Sequence, residues 1–442
     1  MTTVRKAELI GTLDEKYVAN SVTFAAMHAA GTLIVDGADL RGADGALDRA
    51  MIRRRIERLT WFAPAMRQRL VPTPLRMTTP AWAPVDELDL EYHVRFHGGI
   101  EPDDPDRVEL LTGRLSPTMD LSRPLWDFLF VELDSGRVAI VIRYHHVVGD
   151  ALYGLRIGDL LAPTVSSAEP PEPGRAEREE LGDPPRGGID VMRLAFADWR
   201  TRYPTAQTAW RAYWRKPIRM RLRRWAGRII RPFKNARIAR SGALETLLTG
   251  RRSKYVVVDL SGAMKRAYRL GGTLNDLTVA ATLYAVSLQR PEVEQVSILV
   301  PISRRTHGDT KVRNDISIVK VTVPGGAPLE ELVPLVREQV QRAVDSGGSI
   351  VEGAQDWVGY STYVTWGRDQ RYFGSAPVET VTGWPAGDPS DELACLACSY
   401  RKDLVMSVTA RDSIDIHAFM ASMEESLTAP RVAATAQPAG KR

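Results

Sequence analysis

Two adjacent histidines followed by an aspartate are the residues best suited to chemistry. The chain of 442 residues contains only seven histidines, and His145 and His146 stand together, four residues before Asp150. A neutral imidazole, whose pKa is ordinarily near 6.5, can accept a proton from an alcohol and return it to a leaving group. Three roles are open to Asp150: orienting the ring, capping the following helix, or pairing with an arginine to hold the turn.

Motifs of several other enzyme classes are absent from the sequence. HExxH, GxSxG, a P-loop and GxGxxG are all missing, which argues against zinc peptidases, serine hydrolases, nucleotidases and dinucleotide enzymes. Cys395 and Cys398 form a lone CxxC, and we predict that they fill apolar space in a strand or turn. The sequence therefore predicts neither a metal site nor a resident cofactor.

The histidine pair is predicted to lie between a strand and a helix. Apolar residues alternate along Arg137–Tyr144 (RVAIVIRY), as in a half-buried strand, and a helix is predicted to begin near Leu152. A loop at the end of a strand can present an imidazole to a cleft. A preceding strand is predicted over Trp126–Leu133, and Trp126 is predicted to anchor its start in the core.

The organisation of the chain is predicted to be α/β, in two mixed halves. A helix is predicted from Asp276 to about Leu288, and Asn275 is placed to cap it. A segment rich in Pro, Gly, Glu and Ser separates the halves. The predicted segments are an N-terminal half, a linker, basic helices, a C-terminal half and a disordered tail, over residues 1–162, 163–188, 189–254, 255–429 and 430–442.

Positive charge is concentrated between the two halves. The net charge is +5, yet Thr201–Lys254 contains 16 Lys and Arg against one Glu. Within residues 217–233, apolar side chains recur at helical spacing between arginines, which is typical of a helix lying on an anionic membrane or lipid-droplet surface. The alternative is a solvated helix that pairs with acidic parts of the protein. A nucleic-acid partner is disfavoured because no recognition motif accompanies the charge.

The termini and hydropathy predict a cytoplasmic, peripherally associated protein. No stretch approaches the roughly 18 apolar residues of a membrane span. Met1–Ile10 lacks the apolar core of a signal peptide. Nothing in the sequence predicts an oligomeric state.

The histidine segment resembles a known family motif. HHVVGDA, from His145 to Ala151, is similar to the HHxxxDG motif of the bacterial wax ester synthase/diacylglycerol acyltransferase family, within the CoA-dependent acyltransferase superfamily that includes chloramphenicol acetyltransferase. Other segments resemble the family in the same order. They are Met27–His28, Pro64–Leu70 (PAMRQRL), Glu91–Phe96 (EYHVRF), Arg123–Trp126 (RPLW), Thr273–Leu277 (TLNDL), Val300–Arg305 (VPISRR) and Arg313–Pro324 (RNDISIVKVTVP).

The resemblance implies a fold and a reaction. The fold would be two chloramphenicol acetyltransferase-like mixed-sheet halves with the active site in the cleft between them. His146 would act as general base on the hydroxyl of diacylglycerol or a fatty alcohol, which attacks a long-chain acyl-CoA directly to give triacylglycerol or wax ester. His145, Asp150 and Asn275 would support it, and acyl-CoA would be a co-substrate.

Several positions depart from the family pattern. Ala151 replaces the motif glycine, which matters if that position needs a positive φ or a close approach. Arg313 replaces the usual glycine before Asn314, and the SPLDxxF segment is not recognisable in Gly11–Phe24. The SNVPGP-like stretch is missing near Ser361–Gly367. Asn314 and Ser317 are interpreted as structural residues.

These departures keep two alternatives open. One is an acyltransferase acting on a secondary-metabolite hydroxyl or amine. The other is a non-catalytic lipid-surface homologue.

Overall fold

The computed structural model describes residues 8–10, 14, 18, 28–74, 79–85, 87–101, 104, 107–113, 119–167, 169–170, 172–174, 187–215, 217–220, 250–303, 314, 316–346, 356–385 and 391–428. The chain divides into two compact units. The first contains Met1–Ser253, Ser303–Ile316 and Asp369–Ser390, and the second contains Lys254–Ile302, Ser317–Arg368 and Asp391–Arg442.

The described elements mix strands and helices throughout. The strands are β1 (Glu8–Leu9), β2 (His28–Asp36), β3 (Gln68–Val71), β4 (Ala81–Pro84), β5 (Val94–Ile100), β6 (Trp126–Leu133), β7 (Arg137–His145), β8 (Arg251–Asp259), β9 (Gln295–Ser303), β10 (Ile316–Pro324), β11 (Gly359–Thr365), β12 (Tyr372–Phe373), β13 (Ala376–Trp384), β14 (Leu393–Tyr400) and β15 (Asp403–Arg411). The helices are α1 (Arg49–Thr60), α2 (Leu90–His93), α3 (Arg107–Leu111), α4 (Ala151–Leu161), α5 (Gly188–Arg215), α6 (Leu260–Arg269), α7 (Leu274–Gln289), α8 (Leu329–Asp345) and α9 (Ile416–Leu427).

A six-stranded sheet, in the order β12-β13-β2-β7-β6-β5, forms the centre of the first unit. Strand β7 lies inside this sheet, between β2 and β6, and pairs antiparallel with both. Every residue of β7 after Arg137 is buried, so both faces of this strand are covered. Trp126 begins β6 and is buried, as predicted. A smaller sheet, β1-β4-β3, also belongs to this unit.

The second unit is built on another six-stranded sheet, in the order β10-β9-β11-β14-β15-β8. Helix α7 is mostly buried and packs against α8 and α9. Its start is defined by a capping box, in which Thr273 and Asp276 each accept a hydrogen bond from the backbone N–H of the other. Cys395 and Cys398 lie buried in β14, which confirms the prediction of apolar filler in a strand.

The two mixed halves are confirmed, but their boundaries differ from the linear division we predicted. Ser303–Ile316 and Asp369–Ser390 belong to the first unit, although they fall within the predicted second half, 255–429. The reason is that β13 pairs antiparallel with β2, and Trp384 Nε1 donates a hydrogen bond of 3.1 Å to Thr32 Oγ1. Local periodicity identifies a strand but does not specify such a distant partner.

Several predicted segments lie largely outside the described residues. They include residues 221–233 of the basic amphipathic helix, 175–186 of the linker, and the tail 430–442. Within the described part of the chain, no helix is both long enough and apolar enough to cross a membrane.

Candidate active site around the histidine pair

The histidine pair lies where β7 meets α4, as the sequence predicted. Strand β7 ends at His145, and α4 begins at Ala151. Asp150 caps the helix, since its Oδ1 accepts a hydrogen bond of 3.1 Å from the backbone N–H of Tyr153. The residues from His146 to Asp150, called the histidine loop below, are therefore held by a strand at one end and a cap at the other.

His145 is a fully buried histidine. Its backbone N–H donates to the Leu125 carbonyl at 3.0 Å, and its Nδ1 accepts a hydrogen bond of 3.1 Å from the Val147 N–H. Burial, with the neighbouring His146, lowers the pKa of His145 to about 3. The ring is therefore neutral, and its proton is on Nε2, because Nδ1 is the acceptor.

His146 is partly exposed, unlike its neighbour. Desolvation lowers its pKa below the ordinary value of 6.5, while hydrogen bonding to its own backbone, the charge of Asp150 and a hydrogen bond with Asn314 act in the opposite direction. Of the two ring nitrogens, only Nδ1 can reach the backbone carbonyl of its own residue. The lowered pKa leaves the ring neutral near pH 7, which suits a proton acceptor.

Asn314 contacts His146 across 168 residues of sequence. Its Nδ2 lies 2.6 Å from the His146 carbonyl oxygen and 2.6 Å from Asp14 Oδ1. From the sequence we interpreted Asn314 as structural, and the SPLDxxF segment was not recognisable around Asp14. The Leu13-Asp14 pair, which matches the LD of that segment, was the sequence signal that could have identified Asp14.

A buried ion pair lies beside the histidines. Arg143, two residues before His145 on β7, forms two hydrogen bonds to Asp127 on β6, and the Nε–Oδ1 bond is 2.9 Å long. Arg95 adds a second cation, 3.0 Å from Asp127 Oδ2. The Arg143 charge is one reason why the pKa of His28 lies well below 6.5, after desolvation. The Arg143 charge therefore favours the neutral form of His28.

Glycines allow the histidine loop to pack tightly. A Cβ at Gly149 would lie 2.5 Å from the Tyr153 Cβ, and a Cβ at Gly154 would lie 2.3 Å from the Tyr144 hydroxyl oxygen. Ala151, in contrast, is the first residue of α4 and does not have a positive φ. The backbone conformation at this position therefore does not require glycine.

Asn275 lies in the second unit and does not cap its helix. Helix α7 begins at Leu274, two residues earlier than predicted, and Thr273 is the cap. The capping box competes successfully with the Asn275 side chain because it satisfies two backbone N–H groups at once. Asn275 instead lies in the first turn, where backbone N–H groups have no partner within the helix.

Other chemistries find little support in the described part of the chain. No group of three His, Cys, Asp or Glu side chains that could hold a metal ion is found there. Burial raises the pKa of the Cys398 thiol to about 12 and that of Cys395 still further, so neither thiol is reactive.

Comparisons with known proteins agree on one family. The wax ester synthase/diacylglycerol acyltransferase catalytic domain matches residues 14–278, more than half of the chain. A Mycobacterium tuberculosis protein whose name assigns it to the diacylglycerol O-acyltransferases is 27% identical over 287 residues, covering 61% of this chain and 54% of that protein. The chain thus spans about half the length of the curated relatives it matches.

Solved structures show the same fold at low sequence identity. A wax ester synthase/diacylglycerol acyltransferase from Marinobacter aquaeolei VT8 aligns over 95% of this chain and 98% of its own, with a TM-score of 0.58 and 15% identity. The first condensation domain of the calcium-dependent antibiotic synthetase aligns over 96% of both chains, with a TM-score of 0.59 and 13% identity.

Proposed function

Because the chain belongs to the wax ester synthase/diacylglycerol acyltransferase family, we propose that it transfers a long acyl chain from acyl-CoA to the hydroxyl of diacylglycerol or a fatty alcohol. The observation that carries this proposal is His146: a neutral, partly exposed imidazole in a loop held at both ends. No resident cofactor is required, since acyl-CoA supplies the activated acyl group.

The proposed reaction is a direct transfer with His146 as general base. Nε2 takes the proton of the acceptor hydroxyl as its oxygen attacks the thioester carbonyl. Collapse of the tetrahedral intermediate breaks the C–S bond, and the imidazolium returns its proton to the departing CoA sulfur. An ester and free CoA are formed, and the histidine is again neutral.

His145, Asp150 and Asn275 are proposed as supporting residues. His145 and Asp150 would hold the histidine loop, because each accepts a hydrogen bond from a backbone N–H at its base. Asn275 is proposed to act near the transferring acyl group, because amides of a first helical turn can stabilise developing negative charge.

Activity with a panel of acceptors tests the proposed function. Purified protein is incubated with palmitoyl-CoA and diacylglycerol, hexadecanol, or small alcohols and amines, and products are identified by mass spectrometry. We expect triacylglycerol or wax ester together with free CoA. His146→Ala should reduce CoA release by about 10²–10⁴-fold, the usual contribution of a general base, with an unchanged circular dichroism spectrum.

The same panel separates the alternatives. Products with only the small alcohols or amines would replace the lipid acceptor with a secondary-metabolite acceptor. Absence of any acyl transfer by the wild-type protein would favour a non-catalytic homologue.

Peripheral association with an anionic lipid surface is proposed alongside the activity. Large apolar side chains, each more than half exposed, lie along α5 and on the residues just after it. They are Ile189, Phe196, Trp214, Ile218 and Met220. Exposed arginines accompany them, at Arg211, Arg215 and Arg219. Exposed apolar groups beside cations are typical of helices bound at a lipid interface. These residues extend into the predicted 217–233 segment.

Co-sedimentation with vesicles tests the lipid surface. Replacing Ile218 and Met220 with Asp should weaken binding to vesicles containing phosphatidylglycerol, and replacing Arg215 and Arg219 with Glu should do the same. Val165→Asp is the matched control, because Val165 is 70% exposed and lies outside this helix. Equal sedimentation of all variants would instead support a solvated basic segment.

A further inference from the structure

The side chain of Asn314 is placed between two oxygens that both need a donor. Its two amide protons match the His146 carbonyl oxygen and Asp14 Oδ1, each 2.6 Å from Nδ2. The opposite orientation of the amide would set its oxygen against both acceptors. The orientation is therefore determined by the partners, and both N–H groups are used.

Asp14 holds Asn314 in this position. Asp14 is 3% exposed and Asn314 is 8% exposed, so their hydrogen bond is shielded from water and is strengthened by the carboxylate. The same Oδ1 lies 3.4 Å from the backbone N of Asn314. A buried carboxylate needs such donors to offset its desolvation. Asp14 therefore holds both the backbone and the amide of Asn314.

The His146 carbonyl group connects this pair to the imidazole. The ring interacts with that backbone group, and the Asn314 side chain also acts on the ring; both raise the pKa of His146. The carbonyl oxygen that accepts the Asn314 N–H therefore belongs to the backbone group with which the ring interacts. A displacement of this carbonyl would disturb both the direction of the ring and its tautomer.

We propose that Asn314, held by Asp14, is the positioning residue that fixes the His146 carbonyl and through it directs Nε2 toward the acceptor hydroxyl. This inference rests on the proposed acyl transfer for its kinetic consequence. Asn314 itself does not exchange a proton with the substrate. It keeps the base in the geometry and tautomer from which proton transfer is fast.

Removal of the amide should affect the chemical step more than binding. We expect Asn314→Ala to lower kcat by about 10–100-fold, the scale that small misplacements of a catalytic group produce, with KM for palmitoyl-CoA changed less than threefold. Because Asn314 raises the pKa of His146, its loss should also move the acidic limb of the kcat/KM profile to lower pH.

Three further variants make the experiment specific. Asp14→Asn retains an oxygen that can accept from Asn314 and should lose less activity than Asp14→Ala. Ser317→Ala removes another buried polar side chain three residues further along and should keep kcat, KM and the acidic limb of the wild type. Thermal unfolding by circular dichroism establishes which variants fold. If Asn314→Ala does not fold, Asp14→Asn is used in its place to test the positioning role.

Nitrogen-15 NMR of histidine-labelled protein gives a readout that does not need turnover. His146, assigned with His146→Gln, should have its proton on Nδ1 in the wild type, and a mixed tautomer and lower pKa in Asn314→Ala. If wild-type protein transfers no acyl group but the tautomer and pKa change as expected, the proposed function fails and the positioning role stands. An unchanged acidic limb and tautomer in a folded Asn314→Ala protein would overturn the positioning role.

Discussion

The adjacent histidines at the end of β7 have opposite environments. His145 is buried and binds the Val147 N–H, whereas His146 is partly exposed and has Asp150 and Asn314 acting on its ring. Residue type alone made the two equivalent as proton acceptors. Exposure and hydrogen bonding make His146 the candidate base and leave His145 as part of the framework.

The pH dependence of acyl transfer should report His146. Its folded pKa lies below 6.5, and only the neutral ring can accept a proton. We expect kcat/KM to fall through a midpoint below 6.5 as the pH decreases and to level off at higher pH. A pH series with a CoA-release assay measures this midpoint, and a value at or above 6.5 would contradict the assignment.

Ala151→Gly should bring no gain in activity. Ala151 starts a helix without a positive φ, so glycine offers no conformational advantage and costs up to about 0.5–1 kcal/mol of stability through backbone entropy. Urea unfolding and the acceptor panel measure both effects. An increase in kcat or a wider range of acceptors would show that the missing side chain, rather than the backbone, matters here.

At the scale of elements, the junction of β7 and α4 is packed without spare room. Gly149→Ala would force its Cβ against the Tyr153 Cβ, which lies in the first turn of α4 and cannot move alone. We expect a loss of about 1–3 kcal/mol in the free energy of unfolding, as for other overpacked sites, together with lower kcat. Gly98→Ala is the control, since nothing lies within 4 Å of its Cβ; equal effects of the two would argue against tight packing.

The ion pair that joins β6 and β7 is another element-scale constraint. Asp127→Ala would leave the Arg143 guanidinium, with 3% of its side chain exposed, without its principal carboxylate. Removing one partner of a buried pair destabilises by about 3–5 kcal/mol. Urea unfolding measures this loss, and Arg123→Ala, which breaks an exposed pair with Asp89, should cost much less because water screens that pair. A small loss in Asp127→Ala would show that Arg143 reaches water or another partner.

Over the whole molecule, the histidines are divided unequally between the units. Among the histidines that the structure describes, all except His417 belong to the first unit, where the pKa values of His28, His93, His145 and His146 are lowered. A lowered folded pKa means that the unfolded chain binds more protons below pH 6.5, so stability falls as the pH decreases. Acid should therefore destabilise the first unit more than the second.

Hydrogen exchange at two pH values measures this difference. After correction for intrinsic rates, protection in β6 and β7 should fall between pH 7 and pH 5 by a larger factor than protection in β14 and α7. Equal losses in both units would contradict the histidine explanation. Replacing exposed His97 with Gln provides a control that should leave the difference unchanged.

The sequence by itself determined the local parts of this protein: the β7–loop–α4 order, the histidine loop, the buried Trp126 and the ordered motifs that indicated the family. These depend on periodicity and short spacing, which neighbouring residues encode directly. Only the tertiary structure decided that Asn314 meets Asp14 and His146, that Arg143 pairs with Asp127, and that β13 completes the first sheet. Such contacts join distant residues, which local periodicity does not specify, and the environment they create distinguishes two histidines of the same residue type.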